Sequence, residues 1–236
     1  NLTSNTNPQS KPPKVYSRRY ISMTPEQVSA YKEVSNDIGT FTRSERTGEV
    51  YNQTMVALGK LHQIVGGSLK ESNEEFPCNK LDEVLNILEE GSGKTLIWCK
   101  YVQEVERISD LLTKKGYKVG TYYGKVSTKQ RDFNVKSFNT GDMDVLILQY
   151  ASGGMGLTLN AASSVIFYSN DYSYAYRIQA EDRCHRGGQT KSVNYIDLVT
   201  PNTIDMKILK TLEDKKSLSD VIMEGLTKED LDDILW

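Results

Sequence analysis

The sequence predicts an α/β fold: a mainly parallel sheet covered by helices on both faces. Two observations carry that expectation. From Asn79 onward, short apolar strands alternate with apolar stripes at helical spacing, and glycines or capping residues mark the turns between them. Strands alternating with helices imply parallel pairing through helical crossovers, with ligands bound outside the carboxyl ends of the strands.

Taken in order, residues 1–13 are rich in Asn, Ser and Pro and read as a linker. KVYSRRYISM then alternates as a strand does. Thr24, with Pro25 next and Gln27 three positions on, is a capping box with proline at the first helical position, and Met23 and Val28 are placed to form a hydrophobic staple. A helix is expected from there to about Gly39. After the polar stretch TRSERTGE, Leu58, Leu61 and Val65 recur at helical spacing and stop at Gly66-Gly67. Residues 14–76 are thus expected to be a helical attachment entering the main domain.

The main domain, 77–212, opens with Leu81, Val84, Leu85 and Leu88 on one helical stripe, followed by the strand TLIWCK. Val105, Ile108 and Leu112 mark a second helix closed by Gly116, and YKVGTYY is the next strand. Ser127 with Gln130 caps a helix bearing Phe133. DVLILQY, a GGMG turn, SVIFYSN, a polar helix around 172–185 and the strand SVNYIDLVT complete the alternation. In the tail, 213–236, Thr227 and Asp230 form another capping box, Leu226 and Leu231 a staple, and Leu231, Ile234 and Leu235 an apolar face, so short amphipathic helices are expected.

Composition narrows the class. With 38% hydrophobic and 25% charged residues the chain reads as soluble, and no apolar run approaches the ~18 residues of a membrane span. The start lacks Met, an apolar h-region and a cleavage site, which suggests a piece of a longer, unsecreted protein. Cys78, Cys99 and Cys184 are odd in number and widely spaced, favouring neither disulfides nor zinc, so an intracellular location is expected: cytoplasm, or nucleus in a eukaryote. His62 and His185 are too far apart in the chain to suggest a metal pair, and no metal site is expected. The net charge of −2 is uneven: residues 213–236 carry −5, leaving the body at +3.

GSGKT at Gly91 to Thr95 imitates a phosphate-binding loop. The full pattern needs a glycine where Leu88 stands, and such a loop must leave a strand and enter a helix, whereas here a helix precedes and TLIWCK follows. It therefore reads as a helix-to-strand turn. No apolar strand ends in an acidic pair that would hold magnesium.

QAEDRCHRGGQ, Gln179 to Gln189, carries the chemistry. On a helix ending near Gly187-Gly188, Gln179, Arg183 and Arg186 fall within about 60° of one another and project from one face. Two guanidiniums there suit an anion, and an arginine fork on a phosphoryl transition state contributes ~10³ to 10⁵ in rate, roughly 4 to 7 kcal/mol. The other reading is a solvated charged face, with Glu181 and Asp182 as local ion-pair partners.

QAEDRCHRGGQTKSVNYIDLVTPNTID resembles motif VI and its continuation in the Swi/Snf-type family of superfamily-two helicases, and ASGGMGLTL, Ala151 to Leu159, resembles that family's motif V. LIWCKY is similar to motif IV. YYGKVS with QRDFNVKSFN, PPKVYSRRYISMTPEQVSAY and NKLDEVLNIL extend the likeness, in order, from about Pro12 to Lys216. The resemblance implies the C-terminal RecA-like lobe of a double-stranded DNA translocase, half of an ATPase and inactive alone. Arg183 and Arg186 would be arginine fingers toward ATP, with Gly154, Gly156, Gln179, Asp182 and Gln189 as ATP-binding residues. Lys100, Tyr101, Gly124, Lys125 and Ser152 would contact the DNA backbone.

The resemblance further implies ATP and Mg2+ as cofactors, bound mainly by an N-terminal RecA-like lobe of the same protein. The expected partners are that lobe and duplex DNA, with no membrane and a monomeric fragment. Ser152, Thr158 and Gly187 depart from the family's usual Ala, Asn and aliphatic residue. Trp98 and the tyrosines of 168–176 read as core and interface, not base-stacking platforms. A strand-separating DNA or RNA helicase lobe and a non-catalytic scaffold of the same fold are the alternatives.

Overall fold

The computed structural model describes residues 13–41, 48–91, 93–152, 156–184 and 192–218. Its elements, in chain order, are β1 (Lys14–Tyr20), α1 (Pro25–Phe41), α2 (Gly48–Val65), β2 (Ser68–Leu69), β3 (Glu74–Glu75), α3 (Asn79–Glu90), β4 (Lys94–Cys99), α4 (Val102–Lys114), β5 (Val119–Tyr122), α5 (Thr128–Thr140), β6 (Val145–Gln149), β7 (Ala162–Phe167), α6 (Tyr174–Asp182), β8 (Val193–Val199) and α7 (Ile204–Glu213).

Six strands form one sheet in the order β1-β8-β7-β4-β6-β5. Every pairing in it is parallel. Parallel strands need helical crossovers, which cover both faces and demand apolar residues on both sides of each strand. β4 satisfies that demand by alternation. Leu96 and Trp98 face α5 and α6 with Phe138, Ala180 and Cys184. Ile97 and Cys99 face α3 and α4 with Val84, Val105, Ile108 and Leu112. A third cluster joins α1, α2 and α7 through Tyr31, Leu58, Leu61, Ile204 and Ile208, and the Tyr31 hydroxyl accepts the Ile204 amide at 2.9 Å.

The local signals act as their chemistry requires. Thr24 and Gln27 exchange reciprocal hydrogen bonds at the head of α1, at 3.0 and 3.4 Å. Ser127 accepts the Gln130 amide at 3.3 Å and starts α5. Gly67 and Gly116 close their helices at φ +93° and +91°, where a side chain would be strained. Gly91 ends α3 by donating to the Ile87 carbonyl, and the Lys94 ammonium is bound by the carbonyls of Phe138 and Gly141, both at 2.7 Å. The GSGKT lysine therefore serves the helix-to-strand turn.

Three features were not foreseen. β1 is an edge strand of the main sheet, paired with β8 from Lys14↔Val193 to Tyr20↔Val199. α7 was not singled out, and the β2–β3 hairpin is two residues per strand. The capping box at Thr227 lies outside the described residues.

Candidate functional site

Because all six strands run the same way, the sheet has a carboxyl edge and an amino edge, and the predicted site residues divide between them. Lys100 and Tyr101 follow β4, Gly124 and Lys125 follow β5, and Ser152 follows β6, all at the carboxyl edge. Gly124 and Ser152 are neighbours there: a Cβ on Gly124 would stand 3.9 Å from the Ser152 hydroxyl. Lys125 is exposed and pairs with Glu106 at 2.8 Å.

Lys100 and Tyr101 are held more firmly than loop residues need to be. The Lys100 ammonium sits 2.7 Å from Asp171 and 3.8 Å from the centroid of the Tyr172 ring. The Tyr101 hydroxyl turns inward to the Gly59 carbonyl, His62 Nδ1 and the Tyr172 hydroxyl, at 3.3, 3.4 and 3.3 Å. Their backbone is fixed from below. The Lys100 amide donates to Ser169 Oγ at 2.8 Å, Ser169 Oγ donates to Glu104 at 2.5 Å, and the Tyr101 amide donates to the same Glu104 oxygen at 3.1 Å. Burial pushes the Glu104 carboxyl up to about 7 despite those bonds. Gly66 lies so close to Glu104 Oε1 that any Cβ there would overlap it.

At the amino edge lies Arg183, from the other group. The connection from β6 to β7 crosses from one edge to the other, and near its end the Leu159 amide donates to the Arg183 carbonyl at 2.9 Å. Gly156, at φ +96° and with nothing within 4 Å of where a Cβ would be, leaves bare backbone in that connection. α6 returns from the carboxyl edge to the same place. Gln179 and Asp182 are exposed on it, whereas Arg183, its C-cap, is 6% exposed. The helix ends at Asp182, short of Gly187-Gly188, and Arg183 follows it as the C-cap with helical backbone angles, φ −63° and ψ −31°. The bond from Leu159 fixes the backbone where the helix stops. Gly154, Arg186 and Gln189 lie outside the described residues, as does His185.

A buried ionic network anchors α6. Arg177 gives two nitrogens to Asp197 of β8 at 2.5 and 2.9 Å, its Nε to Glu181 at 2.8 Å, and stacks 3.6 Å from the centroid of Phe167. Asn170 bridges Arg177 and Asp197 at 2.8 Å each. Burial alone would lower the Arg177 pKa, but Asp197, Tyr150 and Glu181 together outweigh it and raise it. Glu181 pairs with Arg177 and Lys14. Local sequence pattern did not disclose this network. The signal was available, since Asp197 is a charge inside the apolar strand VNYIDLV.

Trp98 and Tyr168 are core residues at 1% and 0% exposure, as expected. Among the described residues no three His, Cys, Asp or Glu side chains could together hold a metal ion.

The family model described as "Helicase conserved C-terminal domain" matches residues 78–188. The Sulfolobus solfataricus SWI2/SNF2 ATPase core in complex with double-stranded DNA superposes at a TM-score of 0.77 with 26% identity, over 94% of this chain and 50% of that one. This chain is a helicase C-terminal domain of the Swi2/Snf2 type. The C-terminal domain of the Sulfolobus ATPase alone, 22% identical, has the same fold at a TM-score of 0.74 over 94% of this chain and 98% of that one. Among curated relatives, the putative ATP-dependent helicase/translocase YwqA of Bacillus subtilis is 31% identical over 91% of this Swi2/Snf2-type domain. The domain spans from 5% to 24% of the length of curated relatives that it matches.

Proposed function

We propose that this domain is the second motor lobe of an ATP-driven double-stranded DNA translocase, with residues 77–212 as the lobe proper, 14–76 and 213–236 as its attachments and 1–13 as a linker. The carboxyl edge, through Lys100, Gly124, Lys125 and Ser152, follows the DNA backbone without reading bases. The amino edge, through Arg183 and Arg186, meets ATP held by an N-terminal lobe of the same protein, with Gly154, Gly156, Gln179, Asp182 and Gln189 around the phosphates. Exposed backbone at Gly156 suits an approaching anion. Mg2+ would be held mainly by the other lobe. When bound, it would neutralise phosphate charge; Arg183 and Arg186 would stabilise what develops on the transferred group.

The observation that carries this reading is the β6–β7 connection. It starts beside Ser152 at the DNA-facing edge and ends, at Leu159, hydrogen-bonded to the Arg183 carbonyl. One segment thereby joins the two sites, as coupling of hydrolysis to movement requires. The test compares the purified domain with the complete protein. The domain alone should hydrolyse no ATP with or without DNA, and the complete protein should hydrolyse it on addition of duplex. Stimulation by single strands only, with unwinding of a plain forked duplex, would make it a strand-separating helicase instead.

A further inference from the structure

Glu181 lies in the last turn of α6, two residues before Arg183, with a side chain 7% exposed. Groups from two elements converge on its carboxylate: Arg177 Nε of α6 at 2.8 Å, and Lys14 Nζ and the Tyr16 hydroxyl of β1 at 2.9 and 2.6 Å. Its backbone carbonyl accepts the Tyr195 hydroxyl of β8 at 3.2 Å, and Tyr16 stacks on Tyr195 with centroids 5.3 Å apart. One residue thus ties the end of α6 to the edge strand β1 and to its neighbour β8.

Burying two carboxylates and a guanidinium is costly even when all are paired, and apolar side chains of the same volume often stabilise as well or better. What ionic pairing adds is direction. Apolar ridges tolerate small slides and rotations, whereas a two-pronged guanidinium–carboxylate pair fixes both. Arg177 on Asp197 fixes the middle of α6, and Glu181 on Lys14 and Tyr16 fixes its end. Burial would raise the Glu181 carboxyl, but hydrogen bonds from Tyr16, Arg177 and Lys14 outweigh that and hold it below the usual range, so it stays charged.

We propose that Glu181 is a positioning residue for Arg183: bound to Tyr16 and Lys14 of β1 and to Arg177, it sets where the cationic end of α6 sits at the amino edge of the sheet. This rests on the finger role given to Arg183 above. It also assigns β1 a task beyond pairing, through Lys14 and Tyr16.

The test uses the complete ATPase with Glu181→Gln and Tyr16→Phe, alone and on an Arg183→Ala background. Glu181→Gln should lower kcat about ten- to a hundredfold, as a misplacement of about 1 Å does, and leave the KM for ATP within about twofold. Tyr16→Phe, which removes one hydroxyl from a residue 53% exposed, should lower kcat less and in the same pattern. Neither should add to the loss caused by Arg183→Ala, because a positioning residue has nothing left to position. A purely structural role would predict a lower melting temperature with kcat and KM intact below it. Should Glu181→Gln fail to fold, Tyr16→Phe decides. If Arg183→Ala impairs turnover while both variants are silent or fully additive, the inference fails and the motor reading stands. If Arg183→Ala is itself silent, the motor reading fails and takes this inference with it.

Discussion

The Leu159 amide donates to the Arg183 carbonyl at 2.9 Å, joining the glycine-containing β6–β7 connection to the end of α6. A shift in either segment is felt by the other, because that bond lies next to a side chain only 6% exposed. Arg183→Ala in the complete protein should therefore lower DNA-stimulated kcat at least ~10²-fold with a much smaller change in ATP affinity. Steady-state turnover alongside equilibrium binding of an ATP analogue checks this. Equal losses in both would make Arg183 a simple binding residue.

On the proposed role of Lys100 at the DNA backbone, Asp171 would compete with phosphate for its ammonium. Its carboxylate holds the ammonium at 2.7 Å while its other oxygen accepts the Ser173 amide at 2.9 Å at the start of α6. Asp171→Asn keeps an acceptor for Ser173 and removes the charge. Duplex binding by the domain should then tighten, and the slope of log K against log salt should steepen by about 0.9, one more phosphate neutralised. Adding Lys100→Ala to Asp171→Asn should return the slope to its wild-type value. An unchanged slope in Asp171→Asn would remove Lys100 from the DNA-binding edge.

These residues show what a sequence can and cannot disclose. The strands TLIWCK and DVLILQY were legible because burial on both faces writes itself as an apolar run, and the order of helices and strands followed. α7 was not, since Asp205, Lys207 and Thr211 are among its buried residues and blur its apolar stripe. The pairing of β1 with β8 is set by partners far along the chain, which local pattern does not encode. The site residues divide the same way. Lys100 and Gly124 were placed correctly at strand ends, but the direction of the Lys100 side chain is decided by Asp171, 71 positions away. Glu104 and Glu181 looked like ordinary helix acids because only tertiary contact reveals their burial.

Glu104 makes stability depend on pH. Its carboxyl titrates at about 7 in the fold and about 4.3 in an unfolded chain, so between those values the native state keeps a proton that the unfolded state has lost. Its contribution is full below the unfolded value and is lost as pH rises through the folded one. At about 1.4 kcal/mol per unit, the loss by about pH 8 is on the order of 3 kcal/mol. Buried His62, held well below its ordinary value by desolvation, acts in the opposite sense and loses stability as pH falls. Comparing wild type with Glu104→Gln cancels His62: the variant should gain on wild type between about pH 5 and 8 by urea unfolding. A constant difference across that range would mean that Glu104 does not titrate there.

Lys80 and Asp205 form a buried pair joining α3 to α7 at the carboxyl edge, 2.7 Å apart with side chains 1% and 6% exposed. Lys80 also donates to the Tyr168 carbonyl at 3.1 Å, and Asp205 accepts the Thr200 amide at 3.0 Å. Removing one charge leaves the other buried without its partner, which costs about 3 to 5 kcal/mol. Lys80→Met should destabilise the isolated domain by that amount, because the Asp205 carboxylate would keep only neutral donors. Asp205→Asn preserves an oxygen for Thr200 but strands the Lys80 ammonium. Combining them removes both charges while keeping the Thr200 bond, so the double variant should be more stable than the sum of single losses predicts, by about 1 to 3 kcal/mol. Urea unfolding of the four proteins, with the slope against denaturant constant across the set, measures that coupling. Additive losses would show that the charges do not depend on each other, and the junction of α3 with α7 would then rest on the apolar contacts around it.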